Sequence, residues 1–304
     1  MNKLILMIML IVSFGFLTAE EKNIMIPDSF LNLYFNPQNE WTVFVAELST
    51  QQALLVSFRK DPVDLKIIKE FPISSGKQRG SKRSEWDLRT PEGFYQITQI
   101  RSQNTLQEKF GTGAFILDYP NSLDRTLRKS GSAIWIHGTD RMIFIDYDSE
   151  GCIRLRNEDI LFLMKYLKPN QTPVFIVDQI EWLSIEEILH KKNGWEDRFN
   201  IWIDSQNHRN FSLYIKLYHP TFFAPLLKKD IGRWTLLQRD RFQQNQPVNL
   251  SFDDLKIIYQ NGYLLMQGKE ESRSAGEIEF IRKSILWQLI DKEWFIVLEE
   301  NLSG

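Results

Sequence analysis

The chain has 304 residues, 43% of them apolar and 25% charged, with a formal net charge of −2. Such a near-neutral balance gives no support for a nucleic-acid partner, which would favour a basic face. The single cysteine, Cys152, excludes an intrachain disulfide, so hydrophobic cores must hold the fold, and nine tryptophans and 21 phenylalanines are available to build them.

In chain order, residues 1–19 read as an export signal: Lys3, an uncharged apolar run over 4–17, then Thr18-Ala19 before Glu20 and Glu21. The run falls short of the about 20 residues of a comfortable membrane span, and an uncleaved N-terminal anchor is the alternative. Export places the mature chain in the periplasm or cell envelope. Residues 20–40 contain Pro27 and Pro37 and read as an irregular arm.

Residues 41–178 form a β-rich unit, with short apolar runs at 41–48, 54–58, 65–71, 93–100, 114–119, 133–137 and 142–145 between turn signals. One helix is predicted there, over 157–167. Asn157 is its N-cap, Glu158 and Asp159 suit its positive start, and Ile160, Leu161, Leu163, Met164 and Leu167 make a buried stripe. Pro169 stops it, and 172–177 returns as a buried strand.

Residues 179–193 are a charged, helix-prone linker. Beyond it, 195–205, 210–218 and 225–244 read as helices, followed by strands at 248–260, 263–270, 276–291 and 294–299. Helices followed by a meander is an α+β order. Trp202, Tyr214, Tyr218, Trp234, Trp287 and Trp294 are its candidate core, or the lining of a pocket.

The chemistry concentrates on Cys152. His137 ends a predicted strand fifteen residues upstream, and Gly151 lets the backbone approach a substrate carbonyl, with neighbouring amides as oxyanion donors. Arg154 and Arg156 supply cations that favour a thiolate or hold a carboxylate. Taken alone, this pair reads first as a small buried thiol and a core histidine satisfied by the backbone. His190, His208 and His219 have no metal-ligand spacing, so no metal site is expected.

The stretch Ile134-Trp-Ile-His-Gly-Thr139 followed by Ser149-Glu-Gly-Cys-Ile-Arg154 resembles the signature of the L,D-transpeptidase family, with its YkuD-type catalytic domain. Thr90-Pro-Glu-Gly93, Gly76-Lys77, Gly80, Lys82, Asp87, Tyr119-Pro-Asn121, Asp124 and Gly131 match further family segments in order. Many members carry histidine where this chain has Glu150. That residue is either a solvated loop charge or a carboxylate lining the acceptor side, where it favours a cationic or neutral acceptor.

The resemblance implies a β-rich catalytic domain over 41–178. Trp195 and Trp202, then Phe211-Ser-Leu-Tyr-Ile-Lys-Leu-Tyr-His-Pro220 and paired long strands ending in Trp294-Phe295, are similar to an NTF2-like cone, so an α+β domain is expected over 194–304 and the whole fold is mixed. The L,D-transpeptidase resemblance also implies acyl transfer through a thioester on peptidoglycan tetrapeptide stems, with no metal or organic cofactor. Cys152 is then the nucleophile and His137 the general base, its ring oriented by the Gly138 carbonyl. Gly151 serves the oxyanion, and Arg154, Ser149, Tyr119 and Glu150 contact substrate. The two-domain order is similar to cell-shape L,D-carboxypeptidases of Gram-negative bacteria, which favours hydrolysis with release of D-Ala. Formation of 3-3 cross-links or attachment of proteins is the alternative, and a non-catalytic envelope binding module is the alternative of another class. Expected partners are peptidoglycan stem peptides and, through the second domain, other envelope proteins.

Overall fold

The computed structural model describes residues 24–140, 145–225, 228–243, 249–274 and 277–302; the expected signal and most of the strand expected at 142–145 lie outside the described residues. The first half runs β1 (Met25–Pro27), α1 (Leu31–Tyr34), β2 (Glu40–Glu47), β3 (Gln52–Lys60), β4 (Val63–Pro72), β5 (Gly93–Ser102) and β6 (Gly113–Leu117). It continues through α2 (Ser122–Thr126), β7 (Trp135–His137), β8 (Ile153–Arg154), α3 (Asn157–Leu163) and β9 (Pro173–Val177). Eight of these strands form one mixed sheet in the order β4-β3-β2-β9-β5-β6-β7-β8.

Successive side chains of a strand leave on opposite faces, and β2 buries both. Phe44 and Ala46 join Leu55, Phe71, Ile97, Phe115, Ile136 and Ile153 in one core, into which α3 inserts Ile160 and Leu163. Trp41, Val43 and Val45 join a second core on the other face. Two-sided burial explains why this strand lacks a regular polar alternation.

The second half holds β10 (Trp182–Ser184), α4 (Ile185–Asn207), α5 (Phe211–Ile215), β11 (Tyr218–Ala224), β12 (Lys229–Asp230) and α6 (Ile231–Gln243). Four long strands follow: β13 (Asn249–Gln260), β14 (Tyr263–Ser274), β15 (Glu277–Ile290) and β16 (Glu293–Leu302). The sheet order is β12-β11-β16-β15-β14-β13, with β11 parallel to β16 and the other pairs antiparallel. All six aromatics singled out from the sequence are buried here, in the same core as Trp195 and Phe199 of α4. A fully buried large apolar side chain contributes about 1.5–3 kcal/mol, so these rings dominate the packing of this half.

Three segments depart from the sequence expectation. The arm is ordered from residue 24: β1 pairs with β10, and Phe30, Leu31 and Leu33 are buried between the two sheets. Phe30 packs edge-on against Phe58 at 5.0 Å, and Asn32 exchanges two 2.8 Å hydrogen bonds with the Tyr259 backbone of β13. The linker is likewise structured. The Ser184 hydroxyl caps Glu187 N–H and the Glu187 carboxylate accepts the Ser184 N–H, starting α4 ten residues before the expected helix. Finally, the helices expected at 210–218 and 225–244 are shorter. Tyr218 opens β11, and Asp230 accepts the Arg233 N–H at 2.9 Å as α6 begins. One continuous core joins both halves through the arm.

Candidate active site

β7 lies between β6 and β8, which sets His137 opposite Ala114 on one side and Arg154 on the other. Residues paired in register share a face, so His137 and Arg154 do, and Cys152 immediately precedes β8. His137 is buried, with Phe110 edge-on at 5.0 Å. Its Nδ1 lies 2.5 Å from the Gly138 carbonyl oxygen. A carbonyl only accepts, so Nδ1 carries the proton and Nε2 keeps its lone pair. Burial pulls the His137 pKa down to about 4, helped by Arg154 and Lys109 and opposed by the Gly138 carbonyl. The ring is therefore neutral at pH 7.

Cys152 closes a tight turn. The Ser149 hydroxyl donates to the Cys152 carbonyl at 2.6 Å and accepts the Gly151 N–H at 3.1 Å. Gly151 has φ +130°, and a Cβ there would lie 2.8 Å from the Arg89 carbonyl oxygen, so only glycine fits this close approach. The thiol is half-buried, lies 3.5 Å from the Ala133 carbonyl oxygen and receives the Trp135 amide. Burial pushes its pKa up, and Glu150 adds to the rise; the Trp135 amide, Arg154 and Lys109 work against it. Thiol and imidazole are thus both neutral at rest, and Arg154 and Lys109 act on each.

The remaining expected residues fall in different places. Arg154 is buried, its guanidinium bonded to Asp148 at 2.7 Å and Ser74 at 3.3 Å, and its backbone pairs with Ser74. It orders the loop before Cys152 as well as supplying charge. Ser149 is buried with its hydroxyl spent on the turn. The Gly151 amide, expected as an oxyanion donor, is engaged by that same hydroxyl. Tyr119 is buried, donates to the Ser130 carbonyl at 2.9 Å and packs on Tyr95, away from open solvent. Glu150 is exposed and close enough to raise the thiol pKa.

One positioning residue was misread from sequence. Asn157 is not the N-cap of α3; Arg156 occupies that position, without a side-chain bond. The Asn157 carbonyl instead accepts the N–H groups of Thr112 at 3.0 Å and Thr139 at 3.2 Å. It lies so close to Gly138 that a Cβ there would approach it to 2.3 Å. Its helix-start position supported a cap equally well, so the sequence carried no signal for this role. Lys82 and Asp87, both in the matched family segments, form an ion pair at 2.7 Å in which Lys82 is buried.

Residues 42–176 match the model of YkuD, the L,D-transpeptidase catalytic domain. The first sheet is a YkuD domain. YkuD domains act on peptidoglycan stem peptides. Two solved structures share the fold over both sheets. Bd1075 from Bdellovibrio bacteriovorus is 23% identical with a TM-score of 0.64, covering 92% of this chain and 99% of its own. The helical cell shape determining protein Pgp2 from Campylobacter jejuni is 19% identical with a TM-score of 0.65, covering 90% and 98%. At such identities the likeness is one of fold. Comparison with curated protein sequences gives no match. Among the described residues no helix is long and apolar enough to cross a membrane.

Proposed function

We propose that the chain is an exported L,D-carboxypeptidase that trims peptidoglycan tetrapeptide stems and thereby acts on cell shape. The observation that carries this reading is the neutral His137 imidazole, its Nδ1 pinned by the Gly138 carbonyl, on the strand that pairs with the one following Cys152. A neutral imidazole can accept a proton at pH 7, whereas an imidazolium cannot. His137 Nε2 takes the thiol proton as Sγ attacks the carbonyl at the L-centre of the stem diamino acid. The tetrahedral adduct collapses, the C–N bond breaks, and D-Ala leaves with the proton from His137. Water then attacks the thioester, giving its proton to Nε2, and the released Sγ is reprotonated.

Two supports for the finer reading come from likeness. The Gly80-x-Lys82, Tyr119-Pro-Asn121 and Thr90-Pro-Glu-Gly93 segments resemble a branch that also includes hydrolases, and the fold extends over both halves of a protein described as determining helical cell shape. The unit over 41–178 is then the catalytic domain, and residues 194–304 hold it against the wall or other envelope proteins. Residues 1–19 direct export to the periplasm.

A second reading has its own observation. Glu150 stands exposed beside the thiol and would attract an ammonium acceptor, which favours cross-linking or protein attachment. Incubation with tetrapeptide muropeptides and separation of the products distinguishes the two. Tripeptides and free D-Ala are expected; cross-linked dimers would establish the transpeptidase instead. D-Ala release unchanged in Cys152→Ala would remove the nucleophile assignment.

A further inference from the structure

Trp86 is 79% exposed, the most exposed large apolar side chain among the described residues. Its backbone has φ +63°, and Leu88 two residues on has φ +58°. The left-handed region suits glycine, and for a bulky residue it is an outlier. A tryptophan at such a position, burying almost nothing, stabilises neither the backbone nor a core. Side chains held in strained conformations cluster at binding and catalytic sites.

The loop beneath Trp86 is rigidly built. The Asp87 carboxylate accepts Lys82 Nζ at 2.7 Å and the N–H groups of Arg83 at 2.8 Å, Ser84 at 3.1 Å and Arg89 at 3.1 Å. The loop is also mounted on the nucleophile turn. The Leu88 carbonyl accepts the Gln78 N–H at 3.1 Å, the Lys77 N–H bonds to the Ser149 carbonyl at 2.9 Å, and the Arg89 carbonyl abuts Gly151. Trp86 is therefore an exposed aromatic plate carried on a hydrogen-bonded segment that borders Cys152.

We propose that Trp86 is a sugar-stacking platform, receiving a pyranose ring of the glycan strand that bears the stem peptide. The proposal rests on the peptidoglycan reading above and adds the glycan as a recognised part of the substrate. The negative face of an indole attracts the polarised C–H groups on one face of a sugar ring. The flanking Arg83, Ser84 and Glu85 are exposed and polar, suited to sugar hydroxyls. A membrane or a protein partner would be met by a wider apolar patch, and the polar rim here gives none.

Trp86→Gly tests this, because it removes the indole and installs the residue that the backbone prefers. In the Cys152→Ala background, binding of glycan chains stripped of their stems is measured by calorimetry. Binding to the parent should weaken about tenfold in the variant, the size of one aromatic stacking contact. The melting temperature should hold or rise. In the active enzyme, kcat/KM for disaccharide-tetrapeptide relative to free tetrapeptide should fall by a similar factor, with Trp86→Phe in between. Equal glycan binding with and without the indole would overturn the platform, as would no binding to the parent. Glycan binding that depends on Trp86 in a protein releasing no D-Ala would instead uphold the platform and sink the carboxypeptidase reading.

Discussion

Asn157 holds Thr139 in place: its side-chain carbonyl accepts the Thr139 N–H at 3.2 Å and the Thr112 N–H at 3.0 Å. The loop leaving His137 is thereby tied to the helix that follows Cys152. Asn157→Ala removes the shared acceptor of two backbone donors and should destabilise the protein by about 1–3 kcal/mol. It should lower kcat more than it raises KM, since the ring loses its support while the substrate surface stays. Asn157→Asp keeps an acceptor and should recover most of both, measured by urea unfolding and steady-state kinetics.

The pH behaviour follows from two buried groups. With the His137 pKa at about 4 in the folded chain, activity should hold through neutrality and fall only as pH drops towards that value. The unfolded chain has the ordinary histidine value of about 6.5 and binds more protons between the two. The stability from keeping this ring neutral is therefore full above about 6.5 and is lost as pH falls to about 4, on the order of 3 kcal/mol at most. The thiol, pushed up by burial, should react slowly with iodoacetamide at pH 7 and faster in alkali. Rapid alkylation at neutral pH, followed by intact mass, would show a resting thiolate instead.

The nucleophile turn should be intolerant of small changes. Gly151→Ala adds a Cβ at φ +130° and 2.8 Å from the Arg89 carbonyl, and should cost more than about 1 kcal/mol while abolishing turnover. Ser149→Ala removes the hydroxyl that bridges Gly151 N and Cys152 O and should cost about 1–3 kcal/mol. Ser149→Thr keeps the oxygen. If Ser149→Ala melts like the parent, the bridge does not hold the turn.

In the second sheet, Lys283 is buried 2.6 Å from Glu270 and 3.0 Å from Glu299, and Glu299 also accepts the Tyr218 hydroxyl at 2.6 Å. Burial alone would lower the Lys283 pKa, but the two carboxylates outweigh it and raise it. Lys283→Met strands two buried carboxylates and should destabilise by about 3–5 kcal/mol in thermal melts. Combining it with Glu270→Gln and Glu299→Gln should recover much of that loss. By contrast, Arg198→Ala breaks a partly exposed pair with Glu293 and should cost about 1 kcal/mol or less.

What the sequence determined by itself was whatever is encoded over short separations. Alternating and continuous apolar runs located most strands of both sheets, and the spacing of His137, Gly151, Cys152 and Arg154 brought the candidate chemistry to one place. These features depend on the two-residue period of a strand and on neighbours along the chain. The tertiary structure alone decided the rest. Residues 24–34 are ordered because Phe30 and Leu31 fill a gap between two sheets, and Asn32 meets Tyr259 across 227 positions. The Gly151 amide, open to an oxyanion on paper, is taken by Ser149, and Asn157 exchanges a cap for a clamp. A hydrogen-bond donor or acceptor has the same identity in sequence whether its partner is substrate, solvent or backbone, and only packing at a distance assigns that partner.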